Sequence, residues 1–193
     1  MTDLCALATK YGTDKWNAHH YTPHYHRLFK DRRNEVKKVL EIGIGDLTMV
    51  NPTGAPYVPG ASLRMWEEYF PNAEIYALDI NPKLLINRGR IHSTFCDQSN
   101  IEYLSAVIPW LGKDFDLIVD DGSHWPEHQA LTALTFLPLL AQNGFYVIED
   151  VNTFPSHAHW RDTLGRLVYE VTVNITTIRC SDVHDDVLMV IQK

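Results

Sequence analysis

Val39-Leu40-Glu41-Ile42-Gly43-Ile44-Gly45 is an apolar, β-branched run that passes directly into two closely spaced glycines. Such a run has the composition of a strand buried on both faces, and glycines at its carboxyl end leave room for the backbone to approach a ligand. Open α/β sheets bind their ligands at that end of their strands. Outward from this segment the same grammar repeats. Glu74 to Ile80, Ile91 to Cys96, Phe115 to Val119 and Phe145 to Ile148 are short apolar runs, and with Val36 to Gly43 they make five expected parallel strands. Ala61 to Phe70, Ile101 to Leu111 and Glu127 to Leu140 have the length and apolar spacing of helices that cover a sheet. The architecture expected is α/β, doubly wound, with helices on both faces.

Three segments fall outside this alternation. Asp46 to Gly60 carries Pro52, Gly54, Pro56, Pro59 and Gly60, so it is expected to be a long loop. Val168 to Cys180 and Asp186 to Gln192 are β-type runs separated by the polar stretch Ser181 to Asp185, which predicts a terminal antiparallel hairpin. Residues 1–35 mix aromatics, histidines and basic residues in helical segments and are expected to form a cap. The loop and the cap are the parts expected to move.

Bulk properties narrow the function classes. The 193 residues fit a single domain, and no apolar stretch reaches the length of a membrane helix. A net charge of −7 opposes a nucleic-acid partner, which needs a basic face. The start has no basic, then apolar, leader, and the three cysteines, Cys5, Cys96 and Cys180, contain no CxxC pair. A cytoplasmic protein with no membrane or nucleic-acid partner is expected, and monomer and homodimer both stay open.

The chemistry-bearing residues gather at the expected strand ends. Asp79, after the second strand, is placed to accept hydrogen bonds from two ribose hydroxyls, and Asp97, after the third, to accept the adenine amino proton. A dinucleotide site would open its helix with GxGxxG to hold a pyrophosphate. Here Asp46-Leu47-Thr48 follows Gly45, an acid that disfavours a pyrophosphate and is tolerable near a cationic sulfonium ligand. The fourth strand ends in Val119-Asp120-Asp121-Gly122-Ser123-His124 and the fifth in Ile148-Glu149-Asp150. Asp121, Glu149 and Asp150 form a hard oxygen set suited to Mg²⁺, and His124 at its rim suits a general base. The alternative is that Asp120 and Asp121 cap the following helix and that His124 is a surface turn residue. His19, His20, His24 and His26 lie close together, but with no nearby cysteine or acid they do not form a zinc pattern.

Taken with Lys10-Tyr11-Gly12-Thr13-Asp14-Lys15, Tyr21-Thr22-Pro23-His24-Tyr25, Gly60-Ala61-Ser62-Leu63-Arg64-Met65-Trp66 and Asp97-Gln98-Ser99, these motifs resemble the Mg²⁺-dependent sugar O-methyltransferases of macrolide assembly. The resemblance covers roughly Leu4 to Val151 and only the catalytic domain of those enzymes. It implies a Rossmann-like class I methyltransferase with a mostly parallel seven-stranded sheet. It implies S-adenosylmethionine contacts at Tyr21, Thr22, Gly43, Ser62, Asp79 and Asp97, with Asp120 close by. It also implies metal ligands at Asp121, Glu149 and Asp150, a catalytic base at His124, and a saccharide or other hydroxylated small-molecule acceptor. A compact version of the domain resembles the mycobacterial methyltransferases of methylmannose polysaccharide assembly, which implies a short mannoside as acceptor. A catechol or small-phenol methyltransferase and a non-catalytic cofactor-binding module remain the alternatives.

Overall fold

A computed structural model describes residues 1–151, 174–182 and 186–193. The chain forms two compact units, Met1–Phe95 and Cys96–Lys193. The first holds α1 (Asp3–Tyr11), α2 (Thr22–Phe29), β1 (Lys38–Ile42), α3 (Ala61–Tyr69), β2 (Glu74–Asp79) and β3 (Ile91–Phe95). The second holds α4 (Ile101–Leu111), β4 (Phe115–Asp120), α5 (Pro126–Phe136), β5 (Leu140–Ile148), β6 (Asn174–Arg179) and β7 (Val187–Gln192). Among the described residues the strands number seven, mostly parallel with a closing antiparallel pair, the arrangement expected from the sequence.

In the first unit β1 pairs in parallel with β2, from Lys38 opposite Glu74 to Ile42 opposite Leu78, and β2 pairs in parallel with β3. Val39, Leu40, Ile42, Ile75, Ala77 and Leu78 are all buried, as the unbroken apolar runs required. The expected cap consists of α1 and α2, and both are packed in. Thr2 caps α1 by accepting from the Cys5 amide, and Gly12 ends it in the left-handed conformation. Tyr25 meets Trp66 edge-on at 5.1 Å, Phe29 meets Phe70 at 5.2 Å, and Trp66 stacks on Phe70 at 5.9 Å. These rings bury large apolar areas and add roughly 0.5–1.5 kcal/mol per pair beyond burial, so helix α2 is anchored on α3.

In the second unit β4 and β5 run parallel, and β7 lies antiparallel between β5 and β6. Two boundaries differ from the sequence expectation. The helix expected to reach Leu140 ends at Phe136, followed by a 3₁₀ turn over Leu137–Leu139. Pro138 has no amide hydrogen and its ring obstructs the preceding turn, so the helix cannot continue. Strand β5 then begins at Leu140 rather than Phe145, with a register shift between Phe115 and Leu117 on the facing strand. Asn143 adopts φ 64°, and a Cβ on Gly144 would lie 2.7 Å from the Phe115 carbonyl oxygen. Polar residues at this bulge hid the strand's first half from a search for apolar runs.

The predicted hairpin is present where it is described: Asn174 to Arg179 pairs with Val187 to Gln192. Residues 168–173 of the expected strand and 183–185 of the connection lie outside the described residues. Among the described residues, no helix is long and apolar enough to cross a membrane.

Candidate active site

Strand β1 delivers its glycines to a tight turn. Gly43 has φ 97° and Gly45 φ 74°, conformations that favour glycine over residues with a side chain. The Gly43 amide donates to the Leu78 carbonyl at 2.8 Å, the Ile44 amide to Asp79 Oδ2 at 2.9 Å, and the Asn81 amide to Asp79 Oδ1 at 2.7 Å. Asp79, expected to accept from a ribose, therefore also ties the glycine turn to the end of β2. From Gly45 the chain makes the predicted loop and returns to its start. The Gly60 amide donates to the Ile44 carbonyl at 2.9 Å, and Arg64 Nη2 and Nη1 donate to the Val58 and Pro59 carbonyls at 2.8 and 3.0 Å. The Tyr57 hydroxyl lies over Gly45, 2.3 Å from where a Cβ would stand.

Beneath this turn is a charge pair that sequence reasoning missed. Lys15 Nζ lies 3.1 Å from Glu41 Oε1, with both side chains at most 1% exposed, and Trp66 Nε1 donates to Glu41 Oε2 at 2.9 Å. The signal was an acid inside an apolar strand, which must find a partner when buried. The partner itself was not legible, because Lys15 belongs to an N-terminal motif far away in the chain.

The remaining residues expected at the cofactor occupy defined positions. Tyr21 is buried at the start of α2 and stacks on His19 at 4.9 Å. The Thr22 hydroxyl donates to Cys5 Sγ at 3.2 Å, and Ser62 is buried in the first turn of α3. Asp97 Oδ1 accepts from the amide and hydroxyl of Ser99 at 2.9 and 2.6 Å, which holds its carboxyl below the usual carboxylate range. Asp120 is fully buried; Gln98 Nε2 donates to its Oδ1 at 2.9 Å and the Tyr146 hydroxyl to its Oδ2 at 3.1 Å. Burial outweighs these two bonds and pushes the Asp120 carboxyl up to about 7.

The second unit also contains the metal-type cluster. Asp121, His124 and Asp150 bring one ligand atom each to within 4.8 Å of one another. His124 Nε2 lies 3.3 Å from Asp121 Oδ1 and 3.4 Å from Asp150 Oδ2. Two of the three expected acids thus meet, and His124 joins them. Glu149 is next to Asp150 but outside that group; its amide donates to the Asp120 carbonyl and its carbonyl accepts from Gln129 Nε2. Successive residues leaving a strand face opposite ways. Asp150 (φ 51°) and His124 (φ 57°) both adopt the left-handed conformation, backbone strain of the kind concentrated at functional sites.

No protein-family profile matches the chain. Mycinamicin VI 2''-O-methyltransferase of Micromonospora griseorubida is 39% identical over 159 residues, covering 82% of this chain and 37% of that protein. A tetracenomycin 3'-O-methyltransferase acting on the 8-demethyl-8-(2-methoxy-α-L-rhamnosyl) compound, from Streptomyces olivaceus, is 39% identical over 183 residues, 94% of this chain and 45% of that one. The chain is a homologue of sugar O-methyltransferases. It spans less than half the length of these curated relatives. Among solved structures, the MycE methyltransferase of the mycinamycin biosynthetic pathway, in complex with Mg and SAH, superposes with a TM-score of 0.77 at 28% identity, covering 100% of this chain and 54% of that one.

For this sugar O-methyltransferase homologue, the acid pair makes a pH prediction. Partial burial works against a charged His124 ring, but the hydrogen bond to Asp121 and the charges of Asp121, Asp150 and Asp120 outweigh it and raise the imidazole to about 9. A histidine raised in the fold adds stability that is complete below its unfolded value near 6.5 and lost as pH rises through about 9. Asp120, also raised, acts with the same sign over a lower window, losing its contribution between about 4 and about 7. In chelator, urea unfolding midpoints are expected to fall from pH 6 to pH 9.5, with the upper part of the fall absent in His124→Ala. A flat profile above pH 7 in the parent protein would overturn the assignment.

Proposed function

We propose that this chain transfers the methyl group of S-adenosylmethionine to a sugar hydroxyl with the help of Mg²⁺. The observation that carries the reading is the group of Asp121, Asp150 and His124. Two carboxylates held close repel one another and favour a cation between them. Asp121 and Asp150 would hold Mg²⁺, with Glu149 the third acid of the reading. When bound, Mg²⁺ supplies Lewis acidity that makes a neighbouring hydroxyl easier to deprotonate. With Asp121 and Asp150 engaged by the metal, His124 Nε2 would be the group placed to accept the hydroxyl proton.

The glycine turn and Asp79 support a nucleoside-type cofactor, with Asp97 taking the adenine amino group and Tyr21, Thr22, Ser62 and Asp120 contributing to its binding. The relatives' glycosylated substrates support a saccharide acceptor, and a short mannoside of polysaccharide assembly is the favoured one. The three free cysteines support a cytoplasmic setting.

The test is incubation with labelled S-adenosylmethionine, with and without chelator, against methyl mannosides, short mannose oligosaccharides, rhamnosides and catechol, read by mass spectrometry. A single methyl added to a sugar, and lost when EDTA is added, is the expected result. Preferential methylation of catechol would replace the sugar reading with the phenol one. No product together with no heat on titration of the cofactor would leave a non-catalytic module.

A further inference from the structure

We propose that Gln98 is a positioning residue: its buried side-chain amide fixes the loop that carries Asp121 and His124. One amide reaches both ends of that loop. Gln98 Nε2 donates to Asp120 Oδ1 at 2.9 Å, where the loop leaves β4, and Gln98 Oε1 accepts from the Ser123 amide at 2.7 Å, one residue before His124. The orientation of the amide is unambiguous, because a backbone N–H can only donate and a carboxylate is the better acceptor. Nε2 also donates to Thr132 Oγ1 at 3.2 Å, and the Thr132 hydroxyl donates to the His128 carbonyl at 2.8 Å. His128 Nδ1 in turn lies 2.9 Å from Ser123 Oγ, so the bonds form a circuit around the loop and the first turns of α5.

His124 sits in the left-handed conformation, which a non-glycine residue keeps only where its surroundings determine it. The Gln98 to Ser123 bond supplies that determination at the preceding residue. Gln98 touches neither Asp121 nor His124 in this network; it acts through the backbone between them. Partners of this kind, one step behind the ligands, set ligand orientation and with it metal affinity.

The proposal rests on the reading of Asp121 and Asp150, with Glu149, as metal ligands for its effect on affinity, so the test has two arms. Mn²⁺ binding to the intact chain is followed by electron paramagnetic resonance, and exchange of the Ser123 amide hydrogen by NMR without metal. The variants are Gln98→Met, which keeps the volume, and Tyr146→Phe. The latter removes the bond to the other oxygen of the same carboxylate at similar depth and leaves Ser123 untouched. Gln98→Met is expected to weaken Mn²⁺ by about 10- to 100-fold and to speed Ser123 exchange selectively, whereas Tyr146→Phe leaves both near the parent values. If Gln98→Met does not fold, Gln98→Asn has the same expectation, because its amide is one methylene too short to span Asp120 and Ser123. Equal losses in the Gln98 and Tyr146 variants, or unchanged Ser123 exchange in the Gln98 variant, would overturn the proposal. Failure of the parent chain to bind Mn²⁺ would sink the metal reading instead, and the exchange arm would still decide the role of Gln98.

Discussion

Replacing Lys15 with methionine is expected to destabilise the protein by about 3–5 kcal/mol, because it removes one member of a buried ion pair and leaves the Glu41 charge buried. The geometry leaves little room for relief. Both side chains are excluded from solvent, and the Trp66 indole donates to the other carboxylate oxygen, Glu41 Oε2. At roughly 2–4 °C per kcal/mol for a chain of this size, the melting temperature should fall by about 6–20 °C. The paired change Lys15→Met with Glu41→Gln should recover most of that loss, since a neutral amide can still accept from Trp66 and no buried charge remains. A double-mutant cycle on thermal or urea unfolding measures both effects. A Lys15→Met protein as stable as the parent would show that the ion pair contributes nothing.

The second large effect is chemical. With His124→Ala, methyl transfer should drop by about 10²- to 10⁴-fold, the usual contribution of a positioned general base, while cofactor binding measured by calorimetry stays unchanged. The division between turnover and binding is expected because His124 contacts Asp121 and Asp150 and is not among the residues proposed to hold the cofactor. Undiminished transfer in this variant would remove His124 from the base role. A loss confined to cofactor affinity would do the same.

Strand β1 was legible because burial on both faces leaves a simple signature: an unbroken apolar run ending in glycine. The same rule found β2, β3 and β4 to within a residue or two, and failed on the first half of β5. There the bulge at Asn143 and Gly144 requires a left-handed backbone and close approach rather than apolar side chains. Asp121, Asp150 and His124 were legible because strand-end acids are costly without a purpose. The supporting residues were not. Gln98 and Lys15 act through partners distant in sequence, and a side chain that matters for the span of one amide or the sign of one charge carries no local pattern.

The closure between Ile44 and Gly60 has an evolutionary consequence. Because the Gly60 amide and the Arg64 guanidinium pin both ends of the intervening residues, their number can change with little penalty; each doubling of a flexible loop costs only about 0.6 kcal/mol. The strand and α3 need not adjust; at the glycine turn the loop residue Tyr57, which lies over Gly45, must be kept in place. This stretch is therefore an interchangeable cassette, a place where longer or shorter pieces can be spliced in while the strand and helix that it joins keep their positions.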